Sequence, residues 1–273
     1  MIQTLVTNHS NRIANQIKKF ELDYPMGSYI PYWKIFRAFS KENELIATAI
    51  KSTHIWKTSA NSSIIDIGTG DGLVLRNLSK EKDKSTSYTV IEPNKELIEE
   101  AERNLKNIDL LKTVNKDLFS TNLKQLLTGN EVILLVHVLY LLNTNSLKKL
   151  VNNIPSGSKL IIVTDGLSSL FSDCWSLTAP KFADRSKNIH TEIEGLEKIN
   201  KIQISKSTFK TLLKNPFKIG REDLRNALLS MITYSVFNTL PTDCKIEVKE
   251  IFDKYATQDL VQCDSICYEL ITS

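Results

Sequence analysis

Between residues 61 and 165 the chain alternates between short apolar runs and amphipathic segments. These predict β-strands at 63–67, 87–91, 111–115, 131–137 and 158–164, and helices at 71–80, 94–105, 120–127 and 144–152. Strands that alternate with helices build crossover units on a parallel sheet. Uninterrupted apolar runs are typical of strands covered on both faces. We therefore predict an α/β fold with a doubly wound, mostly parallel sheet.

The chain on the amino-terminal side of this region lacks the alternation. The segment 44–55 predicts a helix. An aromatic, turn-rich patch at 24–33 precedes it and has two interpretations, packing in the core or a lid over a substrate. We interpret 1–60 as a helical substrate-lid region.

The chain on the carboxyl-terminal side is also less regular. The segment 222–238 predicts a long amphipathic helix that Pro241 ends. Strands predicted at 245–251 and 265–271 would form an antiparallel edge of the sheet. We interpret 166–273 as an irregular substrate-capping lobe followed by strands that complete the sheet.

Charge and composition argue against several classes of partner. The chain has 35 basic and 31 acidic residues, a net charge of +4, and this small excess forms no concentrated basic stripe of the kind that binds nucleic acid. The longest apolar run, 132–142, is too short to span a bilayer, and the amino terminus has no secretory signal. We therefore expect a cytoplasmic protein that binds neither nucleic acid nor membranes.

No Cys-x-x-Cys pair and no paired histidines occur among the four cysteines, which are Cys174, Cys244, Cys263 and Cys267. Neither a zinc site nor a disulfide framework is therefore indicated. We expect no metal, and reduced thiols with structural roles.

Three glycines follow the first predicted strand at alternate positions. The strand stops at Gly68, and Gly70 and Gly72 precede a helix-compatible run that begins at Leu73. A sharp turn needs backbone angles that other residues avoid, and a ligand can approach the main chain closely where no β-carbon stands. The amides that begin the following helix then face the ligand. The sequence therefore predicts a nucleotide-binding turn.

The spacing narrows the choice of nucleotide. The dinucleotide fingerprint needs a glycine where Leu73 stands, and a P-loop needs a Gly-Lys-Ser or Gly-Lys-Thr that does not follow. With Asp66 just ahead of the first glycine, the segment has the form Asp-x-Gly-x-Gly-x-Gly. This resembles motif I of the class I S-adenosylmethionine (SAM) methyltransferases.

Glu92 stands at the end of the second predicted strand, 22 residues after Gly70. In nucleotide-binding α/β folds, an acidic residue about 20 residues past the glycine turn accepts hydrogen bonds from the ribose hydroxyls. Pro93 suits the first turn of a helix. The alternative for Glu92 is a solvated charge, and we favour the ribose role because the glycines lie at the right distance.

Later strand ends supply further candidates, because ligands of such folds bind beyond the carboxyl ends of the strands. Asp117 would accept a hydrogen bond from an adenine amino group, and helix capping by Asp117 or Ser120 is the competing explanation. His137 would orient a methyl acceptor or take its proton, with a structural histidine as the alternative. Tyr140 would wall or hydrogen-bond the acceptor.

Residues 62–165 resemble the class I SAM-dependent methyltransferases, which have a Rossmann-like fold, through the segments DIGTGDG, VIEPN, NKDLF and VHVLYLL. Within that superfamily the chain is most similar to the histamine N-methyltransferase-like group. The strand-four segment, LIIVTDGLSSLFSDCW and the closing SICYELITS carry this similarity. The resemblance implies that Gly68 and Glu92 hold SAM and that Val136 lines its pocket through the backbone.

The chain departs from that group at two positions. The group has glutamine where this chain has His137 and a second tyrosine where it has Leu141. The resemblance therefore implies an acceptor other than histamine.

We expect SAM-dependent methyl transfer to a small polar molecule, with an amine nitrogen favoured over a hydroxyl or carboxylate. The alternatives are methylation of a protein or peptide side chain and a non-catalytic SAM-binding protein. The predicted catalytic residues are His137 and Tyr140, and the predicted cofactor-binding residues are Asp66, Gly68, Gly70, Gly72, Glu92, Asp117 and Val136.

Overall fold

The computed structural model describes residues 26–60, 62–118, 121, 126–142, 145–200 and 202–272. The α-helices are α1 (Met26–Phe39), α2 (Glu42–Ser52), α3 (His54–Thr58), α4 (Leu73–Ser79), α5 (Lys95–Asn104), α6 (Ser146–Asn153), α7 (Leu170–Thr178), α8 (Pro180–Asn200), α9 (Glu222–Thr233) and α10 (Thr242–Tyr255). The strands are β1 (Ser63–Ile67), β2 (Tyr88–Ile91), β3 (Leu111–Val114), β4 (Glu131–Val136), β5 (Lys159–Asp165), β6 (Gln203–Lys214), β7 (Ala256–Thr257) and β8 (Leu260–Ile271).

A mixed sheet organises these elements in the order β3-β2-β1-β4-β5-β8-β6, and the short β7 pairs with β8. The first five strands in this order run parallel. At one end of the β5–β8 pair, the Gly157 amide donates to the Thr272 carbonyl. At the other end the Gly166 amide donates to the Asp264 carbonyl, so β8 runs antiparallel to β5. The predicted α/β fold with an antiparallel edge is confirmed.

The chain divides into two compact units. The sheet unit contains residues 43–164, 188–209 and 265–272, and the helical unit contains residues 26–42, 165–187 and 210–264. The long elements α8, β6 and β8 contribute residues to both units.

In the sheet unit, β1 lies centrally, with Ile64 opposite Tyr88 of β2 and Val132 of β4. Successive side chains of β1 enter different cores. Ile65 belongs to a buried cluster that includes residues of α6 and α8, whereas Ile64 belongs to one that includes residues of α2, α4 and α5. Helices thus cover both faces of the strands, which explains their uninterrupted apolar sequences.

The helical unit has its own core, to which α1, α7, α9 and α10 all contribute. An aromatic series runs through it, from Phe36 to Phe171, Trp175 and Phe182, with successive ring centroids 5.9, 5.6 and 5.8 Å apart. Aromatic pairs at these separations contribute beyond the area that they bury. The aromatic residues that follow β5 in sequence are therefore core residues.

All four cysteines lie within the described residues, and each is buried and free of a disulfide. Burial raises the pKa of the Cys174 thiol above its usual value, which makes it a poor nucleophile. Across the described part of the chain, no helix has both the length and the apolar content needed to cross a membrane.

The alternating region was predicted well. Its five strands are confirmed to within one residue at each end, and the helices α4, α5 and α6 to within two. The helix predicted at 120–127 falls largely outside the described residues. The helix predicted at 44–55 is present as α2 and α3, which meet at Thr53.

The strand predicted at 245–251 is wrong, because this segment belongs to α10. Cys244, Val248 and Phe252 are fully buried at a spacing of four residues, whereas Ile246 is 52% exposed. A spacing of four is the helical period. The strand was predicted because apolar and polar residues alternate within the short segment 245–251, as they do in a half-buried strand.

The helix predicted at 222–238 is shorter than expected, because α9 ends at Thr233. Tyr234 adopts a left-handed backbone with φ of 50°. The Phe237 amide then donates to the Ser230 hydroxyl at 2.9 Å, which fixes the turn after the helix.

Two further segments differ from the sequence prediction. The patch at 24–33 is not turn-rich where it is described, since α1 begins at Met26 and continues through Pro31. A proline inside a helix removes one backbone donor without always ending the helix. Strand β6 was not predicted, because most of its first seven residues are exposed and carry no apolar pattern.

Candidate cofactor-binding site

The glycine turn joins β1 to α4 at the centre of the sheet. The chain leaves β1 towards β2 and β3 on one side and later returns to β4 on its other side. Ligands of open α/β sheets bind beyond the carboxyl ends of the strands at such a switch point. The turn is pinned to the neighbouring strand, because the Gly68 amide donates to the Ile91 carbonyl at 2.8 Å.

Gly68 occupies a place where a β-carbon would cause strain. Its φ is +70°, in the left-handed region, and a β-carbon built there would lie 2.5 Å from Cγ2 of Val138. Gly70 also has a positive φ, of 57°. The predicted sharp turn is therefore confirmed at the level of the backbone, and its requirement for glycine is both conformational and steric.

Glu92 meets the glycine turn directly. Its Oε2 accepts a hydrogen bond from the Gly70 amide at 3.1 Å, and its Oε1 accepts one from the Asn94 amide at 3.0 Å. The side chain is buried, and this burial raises its pKa, although the two amide hydrogen bonds oppose the shift. Each carboxylate oxygen can accept a further hydrogen bond, so Glu92 retains acceptor capacity for a ligand.

Asp66 and Asp71 add two more buried carboxyl groups to the turn. Oδ2 of Asp66 accepts a hydrogen bond from the Thr69 hydroxyl at 2.6 Å. Burial raises the pKa of Asp66 to about 6, and the neighbouring charges of Glu92 and Asp71 add to the increase. Oδ1 of Asp71 accepts from the Leu73 amide at the start of α4. The arrangement favours a cationic ligand.

The residues that follow β4 include the two predicted catalytic residues. The His137 amide donates to the Val163 carbonyl at 2.9 Å, and the residue has a left-handed φ of 50°. The His137 and Tyr140 ring centroids lie 6.3 Å apart. Both side chains and Val136 are half-buried. The structure thus brings the two predicted catalytic residues together, and their roles remain predictions.

Asp117 lies beyond β3, and its side chain is exposed. Its carbonyl accepts a hydrogen bond from the Thr121 hydroxyl at 2.8 Å. The following Leu118 is buried in the same cluster as Ile67 and Ile91 of the neighbouring strands. The adenine role of Asp117 stays a prediction, and Ser120, the competing helix cap, lies outside the described residues.

Sequence reasoning missed three polar residues that shape this site. Thr69 holds Asp66, Asn104 donates to the Asp71 carbonyl at 2.8 Å, and Asn115 donates to the Glu92 carbonyl at 2.9 Å. The two asparagine contacts join residues 33 and 23 positions apart, so no local pattern signals them. Within the described residues, no group of three or more His, Cys, Asp or Glu is arranged to hold a metal ion.

The solved structures that are similar to this one include the following three. BH2331 of Bacillus halodurans C-125 has a TM-score of 0.53 at 12% identity, covering 82% of this chain and 96% of that chain. The plantazolicin methyltransferase BpumL, in complex with SAH, has a TM-score of 0.52 at 16% identity, covering 96% and 100%. The plantazolicin methyltransferase BamL, in complex with a triazolic desmethylPZN analog and SAH, has a TM-score of 0.51 at 14% identity, covering 100% of both chains.

The chain shares the Rossmann-like fold of these structures. Neither a protein-family model nor a curated protein matches the sequence. At these identities the similarity concerns the fold, and the activity has to be argued from the site.

The first prediction concerns Gly68. Replacement by alanine forces a β-carbon against Val138 in a left-handed backbone, so Gly68→Ala should lower the free energy of unfolding by about 1–3 kcal/mol. Gly195 in α8 is a matched control, since a β-carbon there meets nothing within 4 Å. Gly195→Ala should raise the free energy of unfolding by about 0.5–1 kcal/mol. Urea unfolding measures both, and a Gly68→Ala protein as stable as the wild type would contradict the geometry.

The second prediction concerns the pH dependence of stability. The pKa of Asp66 rises from 3.8 to about 6 on folding, so between these values the folded chain holds a proton that the unfolded chain has released. The free energy of unfolding should therefore fall as pH rises from 4 to 6, by up to about 3 kcal/mol from this group.

Asp66→Asn removes this titration. Relative to wild type, its free energy of unfolding should increase steadily between pH 4 and pH 6 and then stay level. Thermal unfolding over this pH range measures the difference between the two proteins. A difference that is independent of pH would show that Asp66 has an ordinary pKa.

Proposed function

We propose that this protein is a SAM-dependent methyltransferase that binds SAM at the turn 68–72 and at Glu92. The observation that carries the proposal is the contact between the Gly70 amide and the Glu92 carboxylate. It joins a turn of left-handed glycines to an acidic side chain at the switch point of the sheet. Those are the two features that a nucleoside-binding α/β site needs.

The residues present fit this cofactor. Glu92 has acceptor capacity for the two ribose hydroxyls. Asp66 and Asp71 are buried beside it, and SAM carries positive charge on its sulfonium and its ammonium group. A buried carboxylate is stabilised by an opposite charge that enters its surroundings. We also assign Val136 to the wall of the SAM pocket and Asp117 to the adenine amino group.

The bound cofactor supplies a methyl group on a sulfonium, which is already a good leaving group. The chain therefore has to position the acceptor in line with the methyl and exclude water, and positioning of this kind accounts for most of the rate. The glycine turn and Glu92 would fix the donor. His137 and Tyr140, beyond the neighbouring strand, would fix the acceptor.

We propose a small polar acceptor, with an amine nitrogen favoured. A neutral amine needs no strong base, whereas a hydroxyl acceptor would lose its proton to His137, the best-placed group for general base catalysis. The resemblance of several sequence segments to the histamine N-methyltransferase-like group supports a small amine. His137 and Leu141, which is 45% exposed, replace that group's glutamine and tyrosine and support an acceptor other than histamine.

A protein or peptide side chain is the second candidate acceptor. BpumL and BamL are plantazolicin methyltransferases, and BamL was solved with a desmethylPZN analog. Their similarity extends over at least 96% of this chain. The third candidate, a protein that binds SAM without transferring its methyl group, would show SAM affinity with no acceptor.

Titration calorimetry with SAM tests the cofactor assignment. Wild type should bind SAM, and Glu92→Gln should bind it about 10- to 100-fold more weakly, because a charged hydrogen-bond acceptor is lost. Glu99 on α5 is 50% exposed, and Glu99→Gln should bind SAM as wild type does. Equal affinity of Glu92→Gln and wild type would contradict the ribose role.

Transfer of a labelled methyl group from SAM then separates the acceptor candidates. A panel of small amines, small hydroxyl compounds and short peptides is the appropriate screen. For a hydroxyl acceptor, His137→Ala should reduce turnover and leave the SAM dissociation constant unchanged. Methylation of peptides alone would contradict the small-molecule acceptor.

A further inference from the structure

Asn115 links the ends of two neighbouring strands. It directly follows β3, and its side-chain amide donates to the carbonyl of Glu92 at 2.9 Å and to the carbonyl of Pro93 at 3.0 Å. Asn115 is exposed, so it makes these hydrogen bonds at the surface and not in the core. A single side chain thus binds two successive main-chain carbonyls, those of Glu92 and Pro93.

Backbone hydrogen bonds bring Asn115 to this position. The Val114 carbonyl accepts from the Glu92 amide and from the Lys116 amide, each at 3.1 Å. The second of these bonds turns the chain immediately after β3 and presents Asn115 to the end of β2. The partners lie 22 and 23 residues away along the chain, so the contact is not a local asparagine turn.

The hydrogen bonds of Asn115 also affect the carboxylate of Glu92, through Asn94, the residue after Pro93. The Asn94 amide donates to Oε1 of Glu92 at 3.0 Å, and the Asn94 side chain caps α5 by accepting from the Leu97 amide at 3.2 Å. Because Pro93 connects these groups, the position of its carbonyl constrains both the carboxylate and the start of α5. Asn115 holds that carbonyl.

We propose that Asn115 is a positioning residue for the cofactor, which holds the Glu92 carboxylate in the orientation that receives the ribose hydroxyls. Its two hydrogen bonds join the end of β2 to the residue that follows β3. This inference rests on the proposed function.

Asparagine has a particular advantage at this position. Its amide supplies two donors on one nitrogen, which matches two adjacent carbonyl acceptors. Aspartate has the same shape but, when ionised, only acceptors. Its charge would face two carbonyl oxygens and lie close to the buried carboxyl of Glu92, so Asn115→Asp should disturb the site more than Asn115→Ala does.

Calorimetry with SAM and with 5′-methylthioadenosine, which lacks the amino-acid part, tests the assignment. Asn115→Ala should weaken both ligands by the same factor, about 3- to 10-fold, and Asn115→Asp should weaken both further. If the role of Asn115 were only structural, Asn115→Ala would lower the melting temperature and leave both affinities unchanged below that temperature.

Asn153 is a matched control, since it is exposed and donates to the Lys149 carbonyl within α6. Asn153→Ala should bind both ligands normally.

A double-mutant cycle tests whether Asn115 acts through Glu92. In a Glu92→Gln background, Asn115→Ala should change the SAM affinity less than twofold, measured by competition with a labelled nucleoside. The same loss in both backgrounds would overturn the proposal, as would unchanged affinity of Asn115→Ala in the wild-type background. Failure of the wild type itself to bind SAM would instead overturn the proposed function and, with it, this inference.

Discussion

The contact between the Gly70 amide and the Glu92 carboxylate, 3.1 Å long, joins the carboxyl ends of β1 and β2. The turn that places the Gly70 amide there is favoured by two glycines. Gly68 fits against Val138 without a β-carbon, and Gly70 has a positive φ. Gly70 and Glu92, which are 22 residues apart in the sequence, are thereby in direct contact. In the proposed function, this contact fixes the carboxylate that receives the ribose hydroxyls of SAM.

Charge is the second constraint on the site. Asp66 and Asp71 are buried at the turn, and Glu92 is buried against it. Burial raises the pKa of Asp66 to about 6, and the charges of Glu92 and Asp71 add to the increase. Burying several carboxyl groups together costs free energy of folding unless a positive charge joins them. A site that buries such groups is better suited to a cation than to the negatively charged pyrophosphate of a dinucleotide.

The alternating region could be predicted from the sequence because its strands are covered on both faces and its helices on one. In α10, by contrast, the burial of Cys244, Val248 and Phe252 is set by packing in the helical unit, and a short window of alternating residues imitated a strand. At the site, the glycine pattern located the turn and Glu92. Asn104 and Asn115 were missed because they act on residues 33 and 23 positions away, and such contacts exist only once the sheet has formed.

A crystal structure with S-adenosylhomocysteine tests the central claim most directly. The account predicts both ribose hydroxyls within about 3 Å of the Glu92 carboxylate oxygens, and the amino-acid part of the ligand against the backbone of 68–72. A ligand bound elsewhere on the chain, or a sugar that makes no contact with Glu92, would contradict it.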